Sequence, residues 1–330
     1  MRAFIGTSYG SIDSFRIDQV SLPEPGAGQI RVRVEATALG FVDGLMVQGK
    51  YQIQPPLPYI PGGEIVGIAD AVGPGVEGID VGQRVATWQL GGGLAEYVVV
   101  NADEVHLVAE GLTPSIAAAM LVDYQTSHYA LFERGHLAAA DTVLVLGAAG
   151  GVGSAAVQMA VRAGAYVIAA ASTEEKREKA LELGASSAID YQRPDWRDSL
   201  KAAALGGSVD VVFDPVGGDT FEPAFRSLAK EGRYLVVGFA AGRIPALPAN
   251  LALLKSAHLI GVDIRHFLTS QPERARHVRA SLFRQVITGF LKPPVIVPFK
   301  LDQARQAIEA TRSRERRGKV VVQPVNGHAG

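Results

Sequence analysis

The chain contains no cysteine among its 330 residues. This absence excludes disulfide bonds and zinc sites built on thiolates, and it fits a reducing compartment, so we expect a cytoplasmic protein. The sequence also lacks an apolar run long and clean enough to span a bilayer, and its first ten residues contain no apolar core of a signal peptide.

An excess of either charge is also missing. The chain carries 32 lysines and arginines against 33 aspartates and glutamates, which leaves a formal net charge of −1. This balance argues against a general nucleic-acid-binding or membrane-binding surface. We therefore expect a small-molecule partner rather than a polyanion or a membrane.

Glycine, in contrast, is abundant, and its most informative cluster follows a buried apolar run. Residues 143–146 read as a strand, residues 147–153 as a glycine-rich turn, residues 154–163 as a helix and residues 166–170 as a second strand. This order predicts a βαβ unit in which backbone N–H groups and a helix N-terminus bind the diphosphate of a dinucleotide. The alternative is a tight turn whose glycines serve packing alone.

The end of the second strand indicates which dinucleotide is bound. Residues 169–172 read AAAS and provide no carboxylate for a ribose 2′-hydroxyl, whereas Lys176 and Arg177 follow closely. An uncharged strand end followed by cations is typical of a 2′-phosphate site and predicts NADP(H). The alternative is that Ser172 and Glu175 form a capping box and the cations only face solvent.

Strand and helix patterns divide the chain into parts of different character. The residues before about 120 are β-rich, whereas residues 122–265 alternate between strand and helix, as in a doubly wound α/β sheet. Six strands of that sheet are predicted, at residues 143–146, 166–170, 187–190, 209–213, 234–237 and 259–262.

The last part of the chain is expected to return to the β-rich part. A helix at 272–289, a strand near 294–298, a helix at 301–312 and a last strand at 319–323 are predicted there. We therefore expect a catalytic domain of residues 1–121 and 266–330, and a cofactor domain of residues 122–265. Such an insertion is expected to place the active site in the cleft between the domains.

Several segments, in order along nearly the whole chain, resemble one family. They are VQGKY at 47–51, PYIPGGEIVG at 58–67, AAGGVG at 148–153, VFDPVGGD at 212–219, LVVGFAA at 235–241 and GKVV at 318–321. The chain is similar to the zinc-free quinone oxidoreductase (zeta-crystallin-like) branch of the medium-chain dehydrogenase/reductases. The resemblance implies a GroES-like β-rich catalytic domain, a Rossmann cofactor domain with a six-stranded parallel sheet, and NADPH-dependent reduction of quinones or similar conjugated carbonyls.

No metal is expected at the active site. Zinc-dependent relatives place a histidine before the glutamate that corresponds to Glu64, and here that position is Gly63. The seven histidines form no close ligand pattern, and a catalytic zinc needs three protein ligands. Hydrogen bonds must then replace the metal, and a conjugated acceptor helps because the charge from hydride transfer moves onto an oxygen.

The resemblance names Tyr51 and Asp43 as the catalytic candidates. Tyr51 corresponds to a tyrosine near the substrate in quinone and enoyl-thioester reductases; the alternative is an aromatic that only forms a wall of the cleft. Two positions depart from the family pattern. Gly40 replaces an asparagine near the nicotinamide, and Asp123 replaces a neutral residue. Asp123 could select a polar substrate, act as a base, or cap the helix that starts near Tyr124.

The resemblance also assigns residues to the cofactor. The diphosphate would contact Thr126, Gly150, Gly151 and Val152, and the 2′-phosphate end would contact Ser172, Lys176 and Tyr191. Further contacts are expected from strand-end loops and from one basic residue near the C-terminus, namely Asp214, Pro215, Val216, Gly238, Phe239 and Arg314.

Two other functions remain open at this point. One is an enoyl-thioester (acyl-CoA) reductase, which would need a basic rim for the coenzyme A phosphates. The other is a non-enzymatic NADPH-binding or structural protein, to which Gly40 lends support. Relatives pair through an edge strand of the cofactor domain, and residues 259–264 match it, so we predict a homodimer.

Overall fold

The structure is a computed structural model that describes residues 1–313 and 318–324. The chain forms two compact units. The first consists of Met1–Val122, Arg279–Ile287 and Pro293–Gly330, and the second of Asp123–Val278 and Thr288–Lys292.

The return to the first unit comes later than the residue 266 expected from the sequence, and the packing gives the reason. Phe267 is fully buried, and its ring stacks on that of Tyr129 at 4.5 Å. The side-chain amide of Gln125 donates to the carbonyl of Ala275 at 2.9 Å. These contacts hold the segment up to Val278 in the second unit.

The first unit begins with a β-rich region. Its strands are β1 (Arg2–Gly6), β2 (Phe15–Gln19), β3 (Gln29–Leu39), β4 (Glu64–Val72), β5 (Arg84–Trp88), β6 (Tyr97–Asn101) and β7 (His106–Leu107), and its helices are α1 (Phe41–Val47) and α2 (Pro114–Met120). The Thr113 side chain caps α2 by accepting from the Ile116 N–H, and Pro114 occupies the first turn.

The second unit alternates helices and strands. They are α3 (Asp123–His128), β8 (Thr142–Leu146), α4 (Gly151–Arg162), β9 (Tyr166–Ala170), α5 (Glu174–Glu182), β10 (Ser187–Ile189), α6 (Trp196–Ala203), β11 (Val209–Asp214), α7 (Phe221–Arg226), β12 (Leu228–Val236), α8 (Ala249–Lys255), β13 (His258–Gly261) and α9 (Ile264–Ser270). A π-helical stretch, Tyr129–Arg134, continues α3.

The remaining elements are α10 (Pro272–Ile287), β14 (Ile296–Lys300), α11 (Ala304–Ala310) and β15 (Lys319–Gln323). Strand β15 pairs antiparallel with β3 and parallel with β14, which gives the sheet order β14-β15-β3-β4-β5-β7, with β6 also on β3. The return of the tail to the β-rich part is therefore confirmed. The helix expected over 301–312 is shorter, because a 3₁₀ turn precedes α11.

The six predicted strands of the second unit are confirmed, and they form one parallel sheet in the order β10-β9-β8-β11-β12-β13. This is the doubly wound order in which ligands bind at the carboxyl ends of the strands. Strand β12 starts at Leu228, earlier than expected. A break in its register with β11 at Val209/Val211, and a positive φ of 63° at Glu231, interrupt the apolar pattern there.

A fully buried apolar core surrounds the sheet of the second unit. Strand β8 is buried along its whole length, as expected for a central parallel strand covered on both faces. Within residues 1–313 and 318–324, the structure contains no helix long and apolar enough to cross a membrane.

Candidate active site

The glycine turn joins the carboxyl end of β8 to the first turn of α4. Gly147 has a φ of +61°, and its carbonyl accepts the N–H of Gly150 at 2.9 Å. A Cβ on Gly153 would overlap the carbonyl oxygen of Gly147, so α4 can pack this closely only because residue 153 is glycine. Gly150 leaves open space at the N-terminus of the 12-residue helix, because a Cβ placed there would have only the Gly147 oxygen within 4 Å.

Helix α3 lies beside this turn and places there the predicted Thr126 and the unusual Asp123. The Ser127 hydroxyl lies 2.8 Å from the carbonyl oxygens of both Asp123 and Val152, which joins α3 to the start of α4. The Thr126 hydroxyl is buried and has no hydrogen-bond partner among the described residues. The Asp123 carboxylate is also buried, and it lies directly against Gly151.

Asp214, at the end of β11, directs its carboxylate into the protein. One oxygen accepts the N–H groups of Val216 at 2.7 Å and Gly217 at 2.9 Å, and the other accepts the Tyr234 hydroxyl at 2.7 Å. Burial raises the pKa of Asp214, although these hydrogen bonds oppose that shift. The carboxylate therefore shapes the loop, so any cofactor contact at this residue has to come from its backbone.

The loops that follow β11 and β12 are bound to each other. The Gly238 N–H donates to the Asp214 carbonyl at 3.2 Å, and the Ala240 N–H donates to the Pro215 carbonyl at 3.1 Å. A Cβ on Gly217 would lie 2.9 Å from the ring of Phe239, which places that ring over the first loop. The two loops thus bring together four predicted cofactor residues at the carboxyl edge of the sheet, namely Pro215, Val216, Gly238 and Phe239.

At the end of β9 the structure corrects one detail and shows how one cation is held. The cap of α5 is Thr173 rather than Ser172, and its hydroxyl oxygen accepts the Lys176 N–H. Arg177, which the sequence indicates near the 2′-phosphate together with Lys176, donates to the Ala171 carbonyl at 3.3 Å and pairs with Asp190 at 3.2 Å. A guanidinium is therefore held at the strand end where a ribose 2′-group is expected.

The remaining residues predicted near the 2′-phosphate also lie at this end of the sheet. Ser172 and Lys176 are half-buried beside the end of β9, and Tyr191 follows β10 with its ring packed on the core of the second unit. Arg314 lies outside the residues that the structure describes.

In the first unit, Asp43 organises the backbone around Gly40. Its carboxylate accepts the N–H of Gly40 at 2.7 Å and that of Gly62 at 3.2 Å. Burial raises the pKa of Asp43, while the Gly40 hydrogen bond and the charge of Lys319 oppose the shift. In this arrangement the Asp43 carboxylate holds the backbone at Gly40 and Gly62 in place.

A buried ion pair lies next to Gly40, and sequence reasoning missed it. Lys319 Nζ is 2.7 Å from Glu64 Oε1, both side chains are at most 5% exposed, and Glu64 Oε2 accepts the Val122 N–H at 3.0 Å. A methyl group at position 40 would touch Glu64, Lys319 and Asp43 at 3.8–3.9 Å. The glycine therefore leaves room for one small group facing three charged side chains.

Tyr51 is half-buried, and its ring packs against the apolar cluster of the first unit that includes Phe4, Leu39 and Met46. Tyr51 and Asp43 thus belong to the first unit, whereas the described cofactor candidates belong to the second. Among the residues that the structure describes, no group of three or more histidine, aspartate or glutamate side chains is placed to hold a metal ion.

The six-stranded sheet, the glycine turn and the two joined loops define a dinucleotide-binding α/β protein coupled to a β-rich unit. Comparison with known families agrees with this architecture. Residues 26–110 match the alcohol dehydrogenase GroES-like domain, and residues 151–278 match the family described as zinc-binding dehydrogenase.

Individual relatives identify the branch. A quinone oxidoreductase-like protein 2 homolog from Nematostella vectensis is 34% identical over 92% of this chain and 84% of its own length. The Escherichia coli quinone oxidoreductase, solved in complex with NADPH, is 27% identical over 98% of this chain and 100% of its own, with a TM-score of 0.91. The CurK enoyl reductase structure is 25% identical over 98% and 99%, with a TM-score of 0.87. The chain belongs to the zinc-free quinone oxidoreductase branch of the medium-chain dehydrogenase/reductases.

Proposed function

We propose that the protein is an NADPH-dependent reductase that transfers hydride to quinones or similar conjugated carbonyl compounds without a metal. The observation that carries the proposal is the glycine turn before α4, which leaves space for a diphosphate next to buried Thr126, whose hydroxyl has no partner among the described residues. The likeness to an NADPH-complexed quinone oxidoreductase supports the same cofactor. We expect the protein to act in the cytoplasm.

The preference for NADPH over NADH rests on the end of β9. Residues 169–172 bring no carboxylate to this place, so nothing there repels a 2′-phosphate. Arg177 is held over the strand end by Asp190 and the Ala171 carbonyl, and Lys176 lies in the adjacent first turn of α5. Two cations at this place would bind a 2′-phosphate through charge-assisted hydrogen bonds.

The nicotinamide, when bound, supplies the hydride. The residues of the chain would bind the cofactor, orient the substrate and protonate the substrate oxygen. In reduction of a quinone, one hydride and one proton give the hydroquinone, and the charge developing on the substrate oxygen needs a donor. We assign that donor role to the Tyr51 hydroxyl, because a phenol can act as a general acid. Asp43 would serve as a positioning residue through its hydrogen bonds to Gly40 and Gly62.

Tyr51→Phe tests this assignment. The variant is expected to lower kcat with benzoquinone by about 100-fold, the smaller end of the range for loss of a general acid. The Kd for NADPH should stay the same, because Tyr51 lies in the first unit and the cofactor candidates in the second. Tyr97→Phe is the matched control, since Tyr97 is also half-buried in the first unit, under Arg31. An unchanged kcat in Tyr51→Phe would remove the tyrosine from the mechanism.

An enoyl-thioester reductase is the second candidate, favoured by the likeness to the CurK enoyl reductase. The electron acceptor that the protein prefers distinguishes a quinone reductase from an enoyl-thioester reductase. NADPH oxidation is followed with benzoquinone, naphthoquinone, a short 2-enal and crotonyl-CoA, each at the same concentration. The proposed function predicts turnover with the quinones and little with crotonyl-CoA. A preference for crotonyl-CoA would assign the protein to the enoyl reductases.

We also propose that the protein forms a homodimer through the edge strand β13. This strand ends the parallel sheet, and its Leu259 is 48% exposed. Helix α8, which precedes it, exposes Leu253 and Leu254 by 80% and 71%. An apolar edge strand with free backbone groups is a surface that proteins normally cover.

Sedimentation at micromolar concentration should therefore give the mass of a dimer, and Leu259→Asp should shift the protein to monomer by placing two like charges in the paired edge. Leu205→Asp is the control, because Leu205 is also exposed, at 57%, in the turn that follows α6. A wild-type monomer, or a dimer that survives Leu259→Asp, would contradict the proposed interface.

A further inference from the structure

The loop that follows β11 packs onto the glycine turn. A Cβ on Gly147 would lie 3.1 Å from Cγ2 of Val216 and 3.6 Å from Cγ of Pro215, so these two side chains face the first residue of the turn. The turn and the loop leave the carboxyl ends of β8 and β11, which are neighbouring strands of the parallel sheet. Because ligands bind at this edge, the place of the loop affects the room for a dinucleotide at the turn.

Asp214 holds this loop and the next one through two different groups. Its backbone carbonyl accepts the N–H groups of Val237 at 2.9 Å and Gly238 at 3.2 Å, which begin the loop after β12. One oxygen of its carboxylate accepts the N–H groups of Val216 and Gly217 at 2.7 and 2.9 Å. An ionised carboxylate accepts more strongly than a neutral acid, so the charge of Asp214 keeps the first loop in place.

Tyr234 contacts that carboxylate from the neighbouring strand β12. Its hydroxyl donates to the second oxygen of Asp214 at 2.7 Å, and the two residues are 0% and 1% exposed. A hydrogen bond to a carboxylate in such a buried place is stronger than the same bond in water. Burial raises the pKa of Asp214, and the Tyr234 hydroxyl opposes this shift more than either loop N–H does.

Tyr234 is also the titratable group that faces this carboxylate. Among the described residues, no charged side chain interacts with Asp214. The sequence of β8 contains no charge, and charged residues of the other neighbouring segments pair elsewhere, namely Glu222 with Arg226, Arg233 with Asp141 and Asp219 with Arg243. The hydroxyl and the two loop N–H groups therefore set the protonation of Asp214.

The ring of Tyr234 is held independently of its hydroxyl. It packs against the rings of Phe221 at 4.7 Å and Phe225 at 5.7 Å, both in α7. Burial, and then the charge of Asp214, raises the pKa of Tyr234, so the hydroxyl remains a donor at neutral pH. Replacing this tyrosine by phenylalanine therefore keeps the packing and removes one donor from the carboxylate.

We propose that Tyr234 is a positioning residue for the dinucleotide: through the Asp214 carboxylate it keeps residues 215–217 in place against the glycine turn. The inference rests on the proposed cofactor, because the loop packs on the same turn. Without the hydroxyl, the buried carboxylate has the two loop N–H groups as its partners in the described structure, and it takes up a proton at higher pH. The neutral acid binds those N–H groups less strongly, so the loop loosens as the pH falls.

The test compares Tyr234→Phe with the wild type by calorimetric titration with NADP⁺ at about pH 8, 7 and 6. The second pKa of a phosphate lies near 6, so the ligand also titrates, and the ratio of the two Kd values at each pH removes that contribution. The ratio is expected to stay within about threefold of one at pH 8 and to rise about tenfold by pH 6, since each pH unit below a linked pKa changes the ionised fraction about tenfold. A side chain that only fills space would change the Kd equally at every pH.

Two further variants identify the group that titrates. The double variant Tyr234→Phe with Asp214→Asn keeps an oxygen for the two loop N–H groups but cannot take up the proton, so its Kd ratio should not change with pH. Tyr166→Phe is the matched control, because Tyr166 packs on the same apolar core from the start of β9, at the opposite edge of the sheet from the loop. Its Kd ratio should stay near one at every pH.

A second measurement needs no cofactor. At pH 6 the amides of residues 214–218 should exchange with solvent faster in Tyr234→Phe than in the wild type, and at the wild-type rate in Tyr166→Phe. A Kd ratio that is the same at every pH, a rise that persists in the double variant, or unchanged amide exchange would overturn the inference. If the wild type binds no dinucleotide, the proposed cofactor fails, and the exchange rates alone then decide whether Tyr234 positions the loop.

Discussion

Lys319→Met is expected to lower the free energy of unfolding of the first unit by about 3–5 kcal/mol, because it leaves the Glu64 carboxylate buried without its ammonium partner. The pair is 2.7 Å long, and both side chains are at most 5% exposed. The Val122 N–H would still donate to Glu64, but a backbone hydrogen bond does not replace a full charge. The methionine side chain keeps the packing of the lysine stem, so the loss of stability measures the effect of removing the positive charge.

The free energy of unfolding can be measured for the first unit alone. The chain has two tryptophans, Trp88 in β5 of the first unit and Trp196 in α6 of the second. In a Trp196→Phe background, urea unfolding followed by fluorescence reports the environment of Trp88 alone. The midpoint for Lys319→Met should fall well below that of the background protein.

Two controls define the result. Arg16→Met removes one partner of an exposed pair with Asp18, whose side chains are 68% and 44% exposed, and should change stability by less than about 1 kcal/mol. The double variant Lys319→Met with Glu64→Gln should recover much of the loss, because no lone charge then remains. A loss below about 1 kcal/mol in Lys319→Met would contradict the buried pair.

Gly153→Ala is expected to damage both the fold and the cofactor site of the second unit. Its Cβ would overlap the Gly147 carbonyl oxygen and lie 3.0 Å from Ala148 Cα, and these backbone atoms cannot rotate away. Helix α4 must then move off β8, at a cost of about 1–3 kcal/mol as in overpacked cores. The displaced N–H groups should weaken NADPH binding about 10- to 100-fold, since hydrogen bonds to charged groups contribute about 1.5–3 kcal/mol each.

The measurement uses a Trp88→Phe background, in which Trp196 reports unfolding of the second unit, together with NADPH titration. Gly150→Ala is the stability control. Gly150 has a φ of −74°, and its Cβ would meet only the Gly147 oxygen at 3.3 Å, so the free energy of unfolding should change by less than about 1 kcal/mol. Equal stability of the Gly150 and Gly153 variants would show that the close helix–strand approach is not what residue 153 provides.

The second unit could be predicted well from the sequence because its signals are local. Parallel strands buried on both faces read as continuous apolar runs, as in β8, and the glycine turn lies directly between a strand and a helix. Six strands and their sheet type follow from this pattern. Ends of elements were less accurate: β12 begins earlier because of its register break, and α5 is capped by Thr173 rather than Ser172.

The parts of the candidate site that depend on distant residues could not be predicted. Glu64 and Lys319 lie in opposite halves of the chain, and each looks like an ordinary charge at the first position of a strand. Asp214 was assigned to the cofactor from its place at a strand end, but only the fold reveals that Tyr234 takes its carboxylate. The contact of Asp123 with Gly151 likewise requires α3 and α4 to be packed together.

The most direct test of the proposed metal-free reduction is a single-turnover reaction with the purified wild-type protein in the presence of a chelator. Excess protein is mixed with NADPH and then with benzoquinone, and loss of NADPH absorbance is compared with hydroquinone formed. One hydroquinone is expected for each NADPH consumed, and NADH should react more slowly than NADPH at the same concentration. Tight NADPH binding without oxidation by any acceptor would contradict this expectation and favour a non-enzymatic NADPH-binding role. Activity that appears only after zinc is added would contradict the metal-free mechanism.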